Sequence, residues 1–210
     1  MRIRQLTIAT GDLEGQAAFY GGRLGLPVGR DEEGIEVRLR DSTIRLERAE
    51  PGLDARYHFA INVPGDSIRA AVKWLGERQE PLTFDGDPIR TDVGAGCVYF
   101  LDAAGNVVEL IASPYIEGDG KPFGPGSLIE IAEIGIGAVD PAVTVAAVED
   151  AFGEGVYWGG GPDSELTAVG DHHAVVIVAP VGRGWIPVDL TARPLPAEIV
   201  ACGDDARFRA

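Results

Sequence analysis

Glu109 is the residue whose setting in this sequence points most directly to chemistry. It lies between Val108 and Leu110, inside an apolar segment with the pattern of a buried strand. A carboxylate that is buried without a partner is costly, so we expect an opposite charge, a hydrogen-bond network or a metal ion beside Glu109. The sequence therefore predicts a functional site around this side chain.

Three further side chains are candidates for the same site. His58 begins an apolar segment that runs to Val63, where a histidine is either a hydrogen-bonded structural residue or a metal ligand. Tyr99 carries a phenol that could orient a substrate or donate a proton, or that is hydrogen-bonded within the core. Cys97 shares a strand face with Tyr99 by the two-residue period of a strand. We assign Cys97 to the substrate-binding surface as a small apolar side chain, because nothing near it indicates a low-pKa thiolate.

Two apolar strands joined by a tight turn are predicted over residues 99–110. The turn spans residues 102–106, with the sequence Asp-Ala-Ala-Gly-Asn. Gly105 and Asn106 are expected to supply the positive φ angles that a tight turn needs. The two strands are therefore expected to be antiparallel neighbours.

A strand–turn–helix pattern occurs three times along the chain. Each copy begins with a strand of alternating polar and apolar residues, continues through an aspartate or serine that can cap a helix, and is followed by further short strands. The first strands of the three copies begin at Gln5, His58 and Glu133. We therefore predict three βαβββ units, and interpret the third as structural because Glu133 has no visible partner ligands.

The units are predicted to form one two-unit domain followed by an extra part. Residues 1–113 contain the first two units, and residues 114–126 form a linker rich in glycine and proline. Residues 127–190 contain the third unit. Residues 191–210 are expected to form an irregular tail.

The composition excludes some classes of partner. Acidic residues number 33 and basic residues 18, which gives a formal charge of −15. No basic patch is visible, so nucleic acids and anionic membranes are not expected to bind. No apolar run approaches the roughly 20 residues of a membrane span, and no secretory signal is visible. Cys97 and Cys202 have neither metal-binding nor disulfide spacing, so a reduced, cytoplasmic protein is expected.

The tandem units resemble the vicinal oxygen chelate superfamily, which contains glyoxalases, extradiol dioxygenases, fosfomycin-resistance transferases and bleomycin-binding proteins. The resemblance lies within residues 1–113 and is carried by these patterns: Asp12-Leu13, Phe19-Tyr20, Leu24-Gly25-Leu26, His58-Phe59-Ala60 and the segment Tyr99–Leu110. It implies an α+β fold in which tandem βαβββ units line a cleft with a mixed sheet. It also implies that the cleft binds a small-molecule substrate.

The resemblance implies three metal ligands, Gln5, His58 and Glu109. In the family, the ligands project into the cleft from equivalent strands of two units. An amide oxygen, an imidazole and a carboxylate suit a divalent ion such as Mn²⁺, Fe²⁺, Zn²⁺ or Ni²⁺, with open positions for water and substrate. Tyr99 is then the candidate catalytic residue for orienting the substrate or transferring a proton.

Arg45 departs from the family pattern. It occupies the position where glyoxalase I-type members carry a second carboxylate, so glyoxalase I activity is disfavoured. Either Arg45 points away and leaves a three-ligand site, or no metal binds and Arg45 holds an anionic substrate. Thr7 matches a threonine of the fosfomycin-resistance members and is assigned with Arg45 to substrate binding, although the basic loop of those members has no match here.

Two functions from different classes follow. The first is a metal-dependent enzyme that binds and polarises two adjacent oxygens of a small substrate, in an isomerase, lyase or dioxygenase reaction. The second is a metal-free binding protein of the bleomycin-resistance type, in which Arg45 neutralises Glu109. In either case, paired half-units make a homodimer the expected assembly.

Overall fold

The protein is described here from a computed structural model that covers residues 1–91, 94–160, 164–188, 190–201 and 206–210. Within these ranges the chain forms a large mixed sheet with a few helices, which confirms the predicted α+β class. Cys202 lies outside the described residues. No helix in these ranges has the length and apolar character needed to span a membrane.

The first predicted unit begins with a strand and a capped helix. Asp12 caps the helix by accepting a hydrogen bond from the backbone N–H of Gly15 at 2.8 Å. A π-helical turn extends the helix. The elements of unit one are β1 (Ile3–Thr10), α1 (Leu13–Ala17), the π-helical turn (Ala18–Arg23), β2 (Val28–Arg30), β3 (Gly34–Arg38) and β4 (Thr43–Arg48).

The second unit is shorter than the predicted βαβββ pattern. Its second strand is reduced to isolated bridges, in which Leu82 pairs with Tyr99 and Arg90 pairs with Cys97. The elements of unit two are β5 (His58–Pro64), α2 (Ile68–Gly76), β6 (Gly96–Leu101) and β7 (Val107–Ser113).

The third unit is complete and follows a short 3₁₀ helix (Pro125–Ser127). Asp140 caps its helix and Pro141 takes the first helical position, as their sequence positions favour. The elements of unit three are β8 (Glu130–Ala138), α3 (Pro141–Phe152), β9 (Val156–Gly159), β10 (Thr167–Gly170) and β11 (Val175–Pro180).

The C-terminal part contains four short strands. Two of them, and the last residue of a third, lie within residues 191–210, so the prediction of an irregular tail there is wrong. Pro194 and Pro196 precede a strand and do not interrupt it, at a place where a missing N–H breaks no ladder hydrogen bond. The strands are β12 (Gly184–Trp185), β13 (Leu190–Thr191), β14 (Ala197–Ala201) and β15 (Arg207–Arg209).

The large sheet has two halves. The units that form each half are not the pair that the sequence led us to expect. Unit two joins unit three, because β5 pairs antiparallel with β8 and gives the order β6-β7-β5-β8-β11-β10-β9. Unit one joins the C-terminal strands in the order β2-β3-β4-β1-β14-β15. The halves meet where Ile3 of β1 lies opposite Ile131 of β8. A cleft between paired units is therefore formed by units two and three, while the domain limits themselves stay a prediction.

Two clusters of buried side chains fill the interior. The larger cluster lies between the sheet and the helices and includes Tyr20, Phe59 and Phe100, all of which are fully buried. The smaller cluster surrounds the site described below. Its buried members are Cys97, Tyr99, Val107, Ala168, Val175, Ile177, Ala179, Trp185, Leu190 and Ala192.

The turn between β6 and β7 is built on the buried carboxylate of Asp102. It accepts hydrogen bonds from the Gln16 side-chain amide at 2.8 Å, the Tyr20 hydroxyl at 2.9 Å and the Asn106 side-chain amide at 2.8 Å. The backbone N–H groups of Ala104 and Asn106 also donate to it, each at 3.0 Å. The carboxylate therefore organises the turn and ties it to the first helix.

Gly105 adopts the positive φ predicted for this turn, at 81°, whereas Asn106 does not. The prediction for Asn106 is wrong because its side chain, and not its backbone conformation, serves the turn. Its amide nitrogen donates to Asp102, and its amide oxygen accepts from the backbone N–H of Tyr57 at 2.8 Å.

Replacing Asp102 by alanine is expected to lower the free energy of unfolding by roughly 3 kcal/mol or more, because several buried donors lose their acceptor. Urea unfolding followed by circular dichroism measures the change. The matched control is Asp119→Ala, which removes an exposed aspartate that pairs with Lys121 and should change stability by less than about 0.5 kcal/mol. A loss below about 1 kcal/mol for Asp102→Ala would show that this hydrogen-bonded turn is not a major source of stability.

Candidate metal centre

His58, Glu109 and Glu133 bring their ligand atoms together in the cleft of units two and three. The ligand atoms all lie within 4.8 Å of one another. Nε2 of His58 is 3.7 Å from Oε2 of Glu109 and 3.9 Å from Oε2 of Glu133. Since a divalent ion holds such ligands at about 2.0–2.2 Å, two ligands of one ion lie at most about 4.4 Å apart. Both distances from His58 fall within this limit. The 4.8 Å bound on the whole cluster exceeds it by a few tenths of an ångström, which a small side-chain adjustment closes, so the three side chains are placed to share one metal ion.

The strand register explains why the three side chains converge. Glu109 of β7 lies beside Ala60 of β5, and Ala60 lies opposite Glu133 of β8. His58 is two residues from Ala60 on the same strand, so its side chain lies on the same face. Three adjacent strands thus each contribute one candidate ligand.

The imidazole of His58 is held in one orientation. Its Nδ1 lies 3.2 Å from the carbonyl oxygen of Val107, and a carbonyl can only accept, so Nδ1 carries the proton and donates it. Nε2 is left facing the two carboxylates. The Trp185 ring packs 5.2 Å from the imidazole in space that Gly135 leaves open, because a Cβ at Gly135 would lie 2.6 Å from that ring.

The neighbouring charges shift the pKa values of both Glu109 and His58. Burial raises the pKa of Glu109 to about 7, and repulsion from Glu133 adds to the shift, while His58 acts in the opposite direction. Burial alone would lower the pKa of His58, but the facing carboxylates of Glu133 and Glu109 raise it overall. Two carboxylates held this close favour a cation between them.

Tyr99 and Cys97 face the Glu109 carboxylate from the neighbouring strand, where Tyr99 lies directly opposite Glu109. Burial, together with the charge of Glu109, raises the pKa of the Tyr99 phenol and of the Cys97 thiol well above their usual ranges. Both groups therefore stay protonated at neutral pH. Tyr99 can donate a hydrogen bond, and Cys97 is a small apolar side chain and not a thiolate nucleophile.

A cavity of about 600 Å³ opens over the three candidate ligands. Its size suits a small molecule. A second cavity of about 300 Å³ adjoins it and shares Glu133 and Trp158 with it. The apolar part of the larger cavity's lining is formed by Ala95, Ile111, Trp158, Leu166, Ile177, Trp185 and Ile186.

Three residues assigned to the site from the sequence lie in the other half of the sheet. Gln5 donates a hydrogen bond from its side-chain amide to the Thr7 hydroxyl at 3.1 Å. Arg45 lies beside Thr7 in the register of β1 and β4, and its guanidinium donates to the Asp31 carboxylate at 2.5 and 2.8 Å. The structure therefore brings His58 together with Glu109 but not with Gln5, and Arg45 neutralises Asp31 and not Glu109.

The candidate ligand missed from the sequence is Glu133. Gln5, His58 and Glu133 occupy equivalent positions at the first strands of their units, and Arg45 of unit one corresponds to Glu109 of unit two. That equivalence was visible in the sequence. The interpretation of unit three as structural is at odds with the cluster because Glu133 finds its partner ligands across the β5–β8 pairing, in unit two.

The fold is similar to those of solved glyoxalase and dioxygenase structures. Glyoxalase I from Zea mays is 17% identical over 91% of this chain and 72% of its own, with a TM-score of 0.55. A putative dioxygenase from Bacillus subtilis subsp. subtilis str. 168 is 16% identical over 98% of this chain and 72% of its own, with a TM-score of 0.59. At these identities the likeness shows the fold alone, and it confirms the predicted glyoxalase-like fold.

No protein-family model and no curated protein matches the sequence.

Proposed function

We propose that this protein, with its glyoxalase- and dioxygenase-like fold, is a metal-dependent enzyme of the vicinal oxygen chelate type. The observation that carries the proposal is the convergence of His58, Glu109 and Glu133 beneath a cavity of about 600 Å³. An imidazole and two carboxylates suit Mn²⁺, Fe²⁺, Zn²⁺ or Ni²⁺. Such an ion supplies Lewis-acid polarisation of two adjacent substrate oxygens.

The chain's own residues have separate roles in this proposal. His58 and the two carboxylates hold the ion, and three protein ligands leave positions open for substrate and water. The Val107 carbonyl fixes the imidazole so that Nε2 faces the site. Tyr99, kept protonated by its buried position beside Glu109, is the candidate for orienting a substrate oxygen by hydrogen bonding or for donating a proton to it.

The proposal names a type of substrate activation and not one specific reaction, because these residues support only the former. Polarisation of two adjacent oxygens on a small substrate is common to isomerase, lyase and dioxygenase reactions. The proposal includes a small-molecule substrate and a cytoplasmic homodimer, as the sequence predicts.

A metal-free binding protein of the bleomycin-resistance type has less support. That alternative depends on Arg45 neutralising Glu109. The guanidinium of Arg45 instead contacts Asp31, with Glu33 and Glu47 at 3.5 Å. In the cleft, Glu109 faces a second carboxylate, an arrangement that favours a bound cation.

The proposal predicts stoichiometric metal binding and a metal-dependent affinity for catechol, a minimal molecule with two adjacent oxygens. Protein purified without a metal-affinity tag is stripped with a chelator and dialysed against Mn²⁺, Fe²⁺, Zn²⁺ or Ni²⁺. Elemental analysis should find one ion per chain, and calorimetry should detect catechol binding to the loaded protein alone. His58→Ala should remove the ion, whereas the control His172→Ala, which replaces an exposed histidine, should retain it. No bound ion, or equal catechol binding with and without metal, would contradict the proposal.

A further inference from the structure

Two arginines line the same cavity as the three candidate metal ligands. Arg90 and Arg183 come from different segments of the chain. The backbone of Arg90 pairs with that of Cys97 beside β6, through hydrogen bonds of 3.0 and 2.8 Å. Arg183 lies between β11 and β12, where its backbone N–H donates to the Pro180 carbonyl at 3.2 Å. Both arginines are therefore positioned by backbone pairing.

Each guanidinium lies over an aromatic ring that contacts the candidate site. Arg183 lies 5.6 Å from the centroid of Trp185, and Trp185 packs against His58. Arg90 lies 5.1 Å from the centroid of Phe84. Phe84 in turn packs edge-to-face against Tyr99 at 5.4 Å. Each arginine is thus separated from a residue of the candidate site by one aromatic ring, and stacking limits the positions that its guanidinium adopts.

The charge of Arg90 acts on Arg183, as does that of a nearby carboxylate. Burial lowers the pKa of Arg183, the exposed Glu165 carboxylate raises it, and the charge of Arg90 lowers it further. Two guanidinium groups that line one cavity favour an anion bound there. This placement is notable in a chain with a formal charge of −15, because the acidic excess elsewhere disfavours anions.

We infer that Arg90 and Arg183 bind a carboxylate group of the substrate. The substrate class is then a small aromatic or apolar carboxylate that carries two adjacent oxygens away from its carboxylate. The inference about the two adjacent oxygens rests on the proposed function, whereas the carboxylate site rests on the arginines themselves.

The apolar lining of the cavity agrees with this substrate class. Ile111, Ile177 and Trp158 supply apolar surface in the same cavity, which suits a ring or short hydrocarbon body. Guanidinium groups form paired hydrogen bonds with planar carboxylates. The cavity therefore combines the candidate metal ligands, apolar surface and two guanidinium groups.

The test compares ligands that differ by charge and little else. On Mn²⁺-loaded protein, calorimetry measures the affinities of 3,4-dihydroxybenzoate and 3,4-dihydroxybenzamide. On metal-free protein it measures benzoate and benzamide, which lack the two adjacent oxygens. The variants are Arg90→Gln, Arg183→Gln and the double variant. Arg40→Gln is the control, since Arg40 is an exposed arginine that pairs with Asp41 at 3.2 Å.

In the wild type, each acid is expected to bind at least about tenfold more tightly than its amide, because charge-assisted hydrogen bonds to guanidinium are stronger than neutral ones. The ratio should approach one in the double variant and stay unchanged in Arg40→Gln. A wild-type ratio near one, a preference that survives in the double variant, or no acid binding at millimolar concentration would overturn the inference. If only the proposed metal chemistry is wrong, Mn²⁺ will not strengthen binding of the dihydroxy pair, while benzoate will keep its arginine-dependent preference.

Discussion

Replacing Glu133 by glutamine is expected to lower the affinity for a divalent ion by roughly 100-fold or more. The substitution preserves the size of the side chain but removes one of two charged ligands, and changes outside the ligand shell alone commonly cost 10–100-fold. Competition against a fluorescent chelator measures the affinity at fixed pH. The metal-free variant should remain folded, because Glu133 is only half-buried and its neutral form relieves repulsion with Glu109.

The matched control is Glu198→Gln in the other half of the sheet. Glu198 of β14 lies opposite Thr7 of β1, in the same way that Glu133 of β8 lies opposite Ala60 of β5. Its carboxylate pairs with arginines and not with candidate ligands, so the metal affinity should not change. Gln5→Ala should also leave the affinity unchanged. If either control weakens metal binding as much as Glu133→Gln, the assigned ligand set is wrong.

Replacing Glu109 by glutamine is expected to stabilise the metal-free protein at pH 8 by on the order of 1–3 kcal/mol. The pKa of Glu109 is about 7 in the folded protein, compared with 4.5 for an unperturbed glutamate. Between these values the folded state binds more protons than the unfolded state, so stability falls as the pH rises from about 4.5 to 7. Glutamine carries no charge and avoids this loss. At pH 5 the advantage of the variant should shrink to below about 1 kcal/mol.

Saturating metal should reverse that order of stability. An ion that binds only the folded state at about 1,000 times its dissociation constant stabilises it by about 4 kcal/mol, and the variant should lose most of this gain. Urea unfolding at pH 5 and pH 8, with and without Mn²⁺, measures all four cases. A wild type that is more stable than the variant at pH 8 without metal would show that the buried Glu109 is not held for a cation.

The local features of the sequence predicted the units and two of the candidate ligands. Alternating strands and helix caps such as Asp12 and Asp140 are determined within a few residues, so they could be recognised directly. Glu109 was identified because a carboxylate inside a buried strand requires a partner, and His58 because it matches a ligand position of the family that the sequence resembles. These signals depend on short stretches of chain.

The third candidate ligand depends on long-range pairing that no short stretch specifies. Adjacent units were expected to share a cleft, which placed Gln5 with His58. In the structure β5 pairs with β8, and β1 pairs with β14. The strand β14 was itself missed behind Pro194 and Pro196. Without β14, unit two was the only partner that the sequence offered to unit one. Because unit two was then already paired, Glu133 of unit three could not be assigned to its cleft.

The direction in which a side chain points could not be predicted from the sequence either. The alternatives for Arg45 differed only in whether it points into the cleft, and its contact with Asp31 depends on the conformation of the loop before β3. Arg90 and Arg183 were not singled out because an arginine near a turn is ordinarily a solvated surface residue. Their common cavity becomes visible only when units two and three are placed side by side.

Location of the bound ion is the most direct test of the metal centre. Crystals of the Zn²⁺-loaded protein, measured on both sides of the zinc absorption edge, give an anomalous difference map. We predict one peak per chain, about 2.0–2.2 Å from Nε2 of His58 and from a carboxylate oxygen each of Glu109 and Glu133. A fully loaded protein with its peak elsewhere, or no peak in this cleft, would contradict the account.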